Sequence, residues 1–102
     1  MNIEVTKKDR IAYLKIDGNV DEQGAEILKQ TIHKLNLNDI DKTVIDFKDV
    51  FHIGSAGIGK LLLFYKDFAI KGGQIELINV SKTLYDLFKV VKLDSLMKIV
   101  VG

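Results

Sequence analysis

The residues with the clearest chemical potential are Gly54-Ser55-Ala56-Gly57-Ile58-Gly59-Lys60. They stand where a β-rich run at 44–47 (VIDF) gives way, after a short link, to a strongly apolar helix-forming run. Backbone N–H groups at a helix start have no intrahelical partner, so strand-to-helix junctions of this kind suit phosphates and reactive hydroxyls. The question the sequence poses is what Ser55 is for.

Two catalytic readings fail on particular residues. Gly54 to Lys60 fits the phosphate-loop pattern GxxxxGK, but the next residue must be Ser or Thr to ligate Mg²⁺, and it is Leu61. The link at 48–53 also separates strand from loop, whereas a nucleotide loop follows its strand directly. A nucleophile elbow, GxSxG centred on Ser55, requires glycine at 53 and 57, and position 53 is Ile53. His33 falls within the first helix and His52 only three residues before Ser55, neither with a recognisable carboxylate to orient it. Two other readings survive. Ser55 can serve as the N-cap of the following helix, worth about 1 kcal/mol, with glycines allowing close packing on the sheet. Alternatively, a hydroxyl at an exposed helix start can be phosphorylated, gaining about −1.5 to −2 charges that the free N–H groups can meet.

The surrounding pattern predicts the elements that position this turn. Residues 3–5 read as a short strand, 6–10 as a polar turn, and 11–16 as a strand whose better-buried face is Ala12, Leu14 and Ile16, giving an antiparallel hairpin. Asp21 is placed to N-cap a helix running to about Leu35, with Ala25, Leu28, Ile32 and Leu35 at helical spacing. The continuous run at 42–47 suggests a central strand buried on both faces. After the turn, Ile58, Leu61, Leu62, Tyr65, Phe68 and Ala69 predict the apolar face of a second helix, with Leu63 and Phe64 outside it as docking candidates, and Gly72-Gly73 as its stop. A strand at 74–80, a helix N-capped by Ser81, and a strand at 98–101 complete a β-β-α-β-α-β-α-β order. The expected fold is an α/β single small domain spanning 1–102, with a mixed, mostly parallel sheet, an N-terminal antiparallel hairpin and helices packed on it.

Composition narrows the function classes. The 102 residues carry 15 basic and 14 acidic groups, so no basic field favours nucleic acid, and 47% apolar residues are ample for a core. The absence of cysteine rules out disulfides and thiolate metal sites. Asp39, Asp41, Asp46 and Asp49 lack the glycine and terminal Glu of a calcium loop, so neither metal nor cofactor is expected. The charged N-terminus lacks a signal peptide's apolar core, and no run reaches the roughly 20 residues that span a bilayer. A cytoplasmic protein is expected.

The stretch VIDFKDVFHIGSAGIGKLLLFYKDFAIKGGQIELINV, with the opening hairpin and the Gly18-Asn19-Val20-Asp21 loop, resembles the STAS domain, specifically bacterial anti-sigma-factor antagonists. The resemblance spans the chain and implies a switch rather than an enzyme. In that family the unmodified serine protein binds an anti-sigma factor that is also a serine kinase, freeing the sigma factor. Phosphorylation dissolves the complex, and a serine phosphatase resets it. The resemblance puts the phospho-acceptor at Ser55 and the partner-binding surface at Asp21, Asp46, Gly54, Ser55, Ala56, Gly57, Ile58 and Gly59, with the two aspartates close enough to repel a phosphate. No membrane insertion is expected, and a monomer or weak dimer. One departure stands out: the family's Asp before the acceptor is Gly54, and the hydroxyl residue often found after it is Ala56. That departure keeps an alternative open, a non-phosphorylated STAS interaction module serving as a scaffold or transport-complex subunit.

Overall fold

The computed structural model describes residues 1–102. The chain opens with β1 (Asn2–Lys8) and β2 (Ile11–Asp17), paired antiparallel from Asn2↔Asp17 to Lys8↔Ile11. The sequence predicts a five-residue turn at 6–10. Instead the strands continue to a two-residue turn, Asp9-Arg10, with φ of 52° and 66°. Paired left-handed residues match the right-handed twist of a hairpin. Arg10 is held by a bidentate contact to Asp41, at 2.9 and 3.1 Å, and its carbonyl accepts from the Asp41 N–H at 2.7 Å. The hairpin is thereby fastened to the start of β3.

The remaining elements are α1 (Glu22–His33), β3 (Lys42–Asp49), α2 (Ser55–Ala69), β4 (Gln74–Val80), α3 (Lys82–Val90) and β5 (Lys98–Val101), with single 3-10 turns at Leu37–Asp39 and Leu93–Ser95. The sheet order is β1-β2-β3-β4-β5, antiparallel at β1–β2 and parallel thereafter. Each crossover therefore advances one strand in the same direction, and right-handed crossovers then gather the helices on one face. One core results. Ala12, Leu14, Ile16, Ile45, Phe47, Ile75 and Leu77 of the sheet pack with Ala25, Leu28 and Ile32 of α1, Leu61, Phe64 and Phe68 of α2, and Leu84 and Phe88 of α3. Phe47 and Phe88 meet edge to face at 5.8 Å.

Three further expectations need correcting. The run at 42–47 is the central strand, and Thr43, Val44, Ile45 and Phe47 are buried, but helices cover only one of its faces. Ile45 and Phe47 enter the core, whereas Val44 lies on the helix-free face, in a shallow depression shared with Tyr13, Asp46 and Ile78. The apolar face of α2 is also turned from the expected one: Gly57, Leu61, Phe64 and Phe68 are buried, while Leu62 and Leu63 are 38% and 55% exposed. Phe64 stacks on Phe68 at 5.3 Å. A helix that is apolar nearly all round does not declare its buried side; the large rings took the core. α1 also ends at His33, two residues before the expected Leu35, which is nonetheless partly buried against the core.

Candidate functional site at the start of the second helix

The site is built from two loops at the C-terminal ends of β2 and β3. After these strands part, the chain segments rejoin in a short parallel bridge between Val20 and Ile53. Gly18 N donates to Asp49 O at 3.2 Å, Val20 N to His52 O at 2.9 Å, and Gly54 N to Val20 O at 2.9 Å. The Asn19 side chain adds a fourth tie, accepting from Phe51 N at 3.3 Å. The loop that ends at Asp21 is thus fixed beside the link that ends at Ser55. Asp21 N-caps α1 as its position predicts, its Oδ1 accepting from Gly24 N at 2.7 Å.

Ser55 is the first helical residue of α2 and is exposed. It is not the N-cap, contrary to the capping role weighed above. That position is Gly54, with φ −91° and ψ 177°, and no side chain caps the helix. The first α-helical bond runs from Ile58 N to Gly54 O at 3.1 Å, so the N–H groups of Ser55, Ala56 and Gly57 precede it. These groups, with the helix dipole, favour negative charge at the helix start. The hydroxyl is therefore presented to solvent at an electropositive backbone end.

The expected partner-binding residues sort by position. Gly57 is buried, and a Cβ there would fall 2.7 Å from Val20 Cγ1 and 2.8 Å from Ile53 Cγ1. Glycine lets α2 sit directly on the bridged loops. Ala56 and Ile58 are partly buried against the core. A Cβ at Gly59 would meet nothing within 4 Å, so that position leaves bare backbone on the surface. Asp46 stands apart from this group. Its side chain lies on the helix-free face of the sheet, where Oδ1 accepts from Asn79 Nδ2 at 3.0 Å and from Lys48 N at 2.9 Å. Strand alternation is the reason: Ile45 and Phe47 point to the helices, so the residue between them points away. The structure gives Asp46 a bracing role between β3 and β4 rather than a place beside the serine.

Phe51 is the residue that the sequence reading missed. It is 75% exposed within the hydrogen-bonded link, while its neighbours Val50 and Ile53 are 1% and 2% exposed. Four consecutive residues, Val50-Phe51-His52-Ile53, of which three are apolar, cannot all face inward from an extended link. That was the available signal. No three His, Asp or Glu side chains gather closely enough to hold a metal ion.

Comparison with known proteins gives this arrangement a family. Residues 2–101 match the family model described as the STAS domain. The chain belongs to the STAS domain family. It is similar to the anti-sigma-B factor antagonist of Bacillus subtilis (strain 168), 26% identical over 99 residues that make up 97% of this chain and 90% of that protein. Among solved structures, the Bacillus cell fate determinant SpoIIAA in its phosphorylated form superposes with a TM-score of 0.76 at 17% identity, covering 96% of this chain and 90% of that one. A sulfate transporter family protein from Wolinella succinogenes has the same fold, with a TM-score of 0.80 at 16% identity, covering 93% of this chain and 80% of that one. The five-stranded mixed sheet with helices on one face is the STAS fold. No helix of the chain is long and apolar enough to cross a membrane.

Proposed function

We propose that this STAS domain is an anti-sigma-factor antagonist that works by partner switching. With Ser55 unmodified it binds an anti-sigma factor that is also a serine kinase, and so releases the sigma factor and regulates transcription in the cytoplasm. The γ-phosphoryl group of ATP then passes to Ser55 Oγ, ADP leaves, the hydroxyl proton goes to a base of the kinase, and the complex separates. A serine phosphatase returns the hydroxyl by hydrolysis. The observation that carries this reading is the exposed Ser55 hydroxyl, uncommitted to capping, at the first residue of α2. On this reading the chain is a binding protein and the kinase's substrate rather than an enzyme. A phosphate there adds about −1.5 to −2 charges within the docking surface. The α2 N–H groups can donate to it, while Asp21, held nearby by the Gly54–Val20 hydrogen bond, repels it. The balance alters the surface without unfolding the domain.

The test is to purify each anti-sigma serine kinase encoded in the source genome, incubate it with this protein and ATP, and map phosphate by mass spectrometry. Label on Ser55, and loss of kinase binding in Ser55→Asp, are expected. No label on Ser55 together with unchanged binding of Ser55→Asp sinks the switch. The alternative, a non-phosphorylated interaction module in a scaffold or transport complex, draws on Gly54 in place of the acidic residue. Transport components encoded beside this chain, and a partner bound equally by wild type and Ser55→Asp, favour it.

A further inference from the structure

We propose that Phe51 is the apolar anchor by which the kinase partner grips this protein, inserting into a recess beside the partner's phosphoryl-transfer site. The inference rests on the partner-switching reading above and adds to it the residue that sets partner affinity.

Three observations carry it. Phe51 is the most exposed aromatic side chain of the domain, at 75%. Its backbone is nonetheless fixed: the link is held by Gly18 N→Asp49 O, Val20 N→His52 O and Gly54 N→Val20 O, and Phe51 N itself donates to Asn19 Oδ1. The ring is thus held out on a rigid support, so little ordering of the link is left to be done on binding. Finally, it must lie within the contact. Four residues of extended chain reach about 13 Å. A standard interface buries about 800 Å² on each partner, a disc of radius about 16 Å. A kinase that seats the Ser55 hydroxyl in its active site therefore covers Phe51 as well. Exposed aromatic rings that become fully desolvated are the residues that dominate such contacts.

Ile70 provides the internal control. It is 80% exposed and apolar but follows the C-terminal end of α2, about 22 Å from Ser55 at 1.5 Å per residue. It lies outside the same disc.

The experiment measures Ser55 phosphorylation kinetics and binding with the kinase identified above, using wild type, Phe51→Ala, Phe51→Leu and Ile70→Ala. Phe51→Ala is expected to raise KM and the dissociation constant at least tenfold with kcat unchanged. Phe51→Leu should recover most of the loss, and Ile70→Ala should match wild type. Thermal melting of each variant confirms the fold. A second readout is independent of truncation. The chain has no tryptophan, so Phe51→Trp introduces its only indole. Its emission should shift to the blue on kinase addition, read against the same titration with wild type. Phe51→Ala within twofold of wild type, or an unshifted Phe51→Trp emission at saturation, overturns the anchor while leaving the switch standing. A wild-type protein that is neither bound nor phosphorylated overturns the switch and the anchor together.

Discussion

Replacing Gly54 by Asp should stabilise the domain, and the size of the gain follows from the geometry of the site. Gly54 is the N-cap of α2 in an extended conformation, φ −91° and ψ 177°, which any L-residue adopts. A Cβ there would meet only Val20 O, at 3.8 Å, an ordinary contact. The helix has no side-chain cap, and an Asp carboxylate at this position can accept from the N–H of Ala56 or Gly57. Three contributions apply. Asp is a better N-cap than Gly by a few tenths of a kcal/mol. Removing glycine restricts the unfolded chain by about 0.4–1 kcal/mol. The charge at the dipole's positive end adds about 0.3–1 kcal/mol at low salt and overlaps with the capping term. Repulsion from Asp21 subtracts part of this, leaving about 1 kcal/mol net. For a domain of this size that raises the melting temperature by about 4–8 °C. Gly54→Ala separates the contributions: it gains the chain-entropy term but Ala is a poor N-cap, so its net change should be near zero. Calorimetry and urea unfolding of the three proteins at low salt and in 1 M NaCl provide the assay, the Asp variant losing part of its advantage in salt. An Asp variant no more stable than the Ala variant refutes the capping argument.

Two further outcomes are expected. Gly57→Ala should destabilise by about 1–3 kcal/mol, because its Cβ would press on Val20 and Ile53, both buried and β-branched, whereas Gly59→Ala, in open space within the same helix, should be stabilising by up to about 1 kcal/mol; urea midpoints measure both. Glu76 lies 3.1 Å from Lys42 and 3.4 Å from Lys98, and its pKa is lowered from the ordinary value chiefly by the Lys42 hydrogen bond, with Lys98 adding to it. A carboxyl depressed in the folded state gives stability that is present above the unfolded-state pKa and lost as pH falls through the folded-state value. Glu76→Gln should therefore be less stable than wild type at pH 7, by at most about 1 kcal/mol per partly exposed pair, with the gap closing in strong acid; denaturation midpoints across pH 2 to 7 show it.

Much of the fold was legible because local patterns and topology agree. Ala12, Leu14 and Ile16 alternate and are all buried. Asp21 caps α1 and Ser81 caps α3, accepting from Gly24 N and Leu84 N. These depend on residues within a few positions of one another. The misreadings have a common origin. Which stripe of α2 enters the core was undetermined because Leu, Phe and Tyr surround most of the helix. Whether β3 is covered once or twice depends on which way the crossovers turn, not on its own composition. Asp46 was grouped with Ser55 on a family pattern, but strand alternation sends its side chain to the other side of the sheet.

For the site, the sequence alone determined that a hydroxyl and three glycines would stand at a strand-to-helix junction, because β-formers before it and helix formers after it leave no other place for the turn. It also determined that neither a nucleotide loop nor a hydrolase elbow could be completed there, since Leu61 and Ile53 occupy required positions. Only the tertiary structure decided that Gly54, not Ser55, ends the turn as N-cap, leaving the hydroxyl uncommitted. Only it decided that the Asp21 loop is bridged to this turn, and that Phe51 is held out beside it. The reason is that these outcomes rest on hydrogen bonds between segments some 30 residues apart, such as Val20 to His52 and Asn19 to Phe51, which no local pattern encodes.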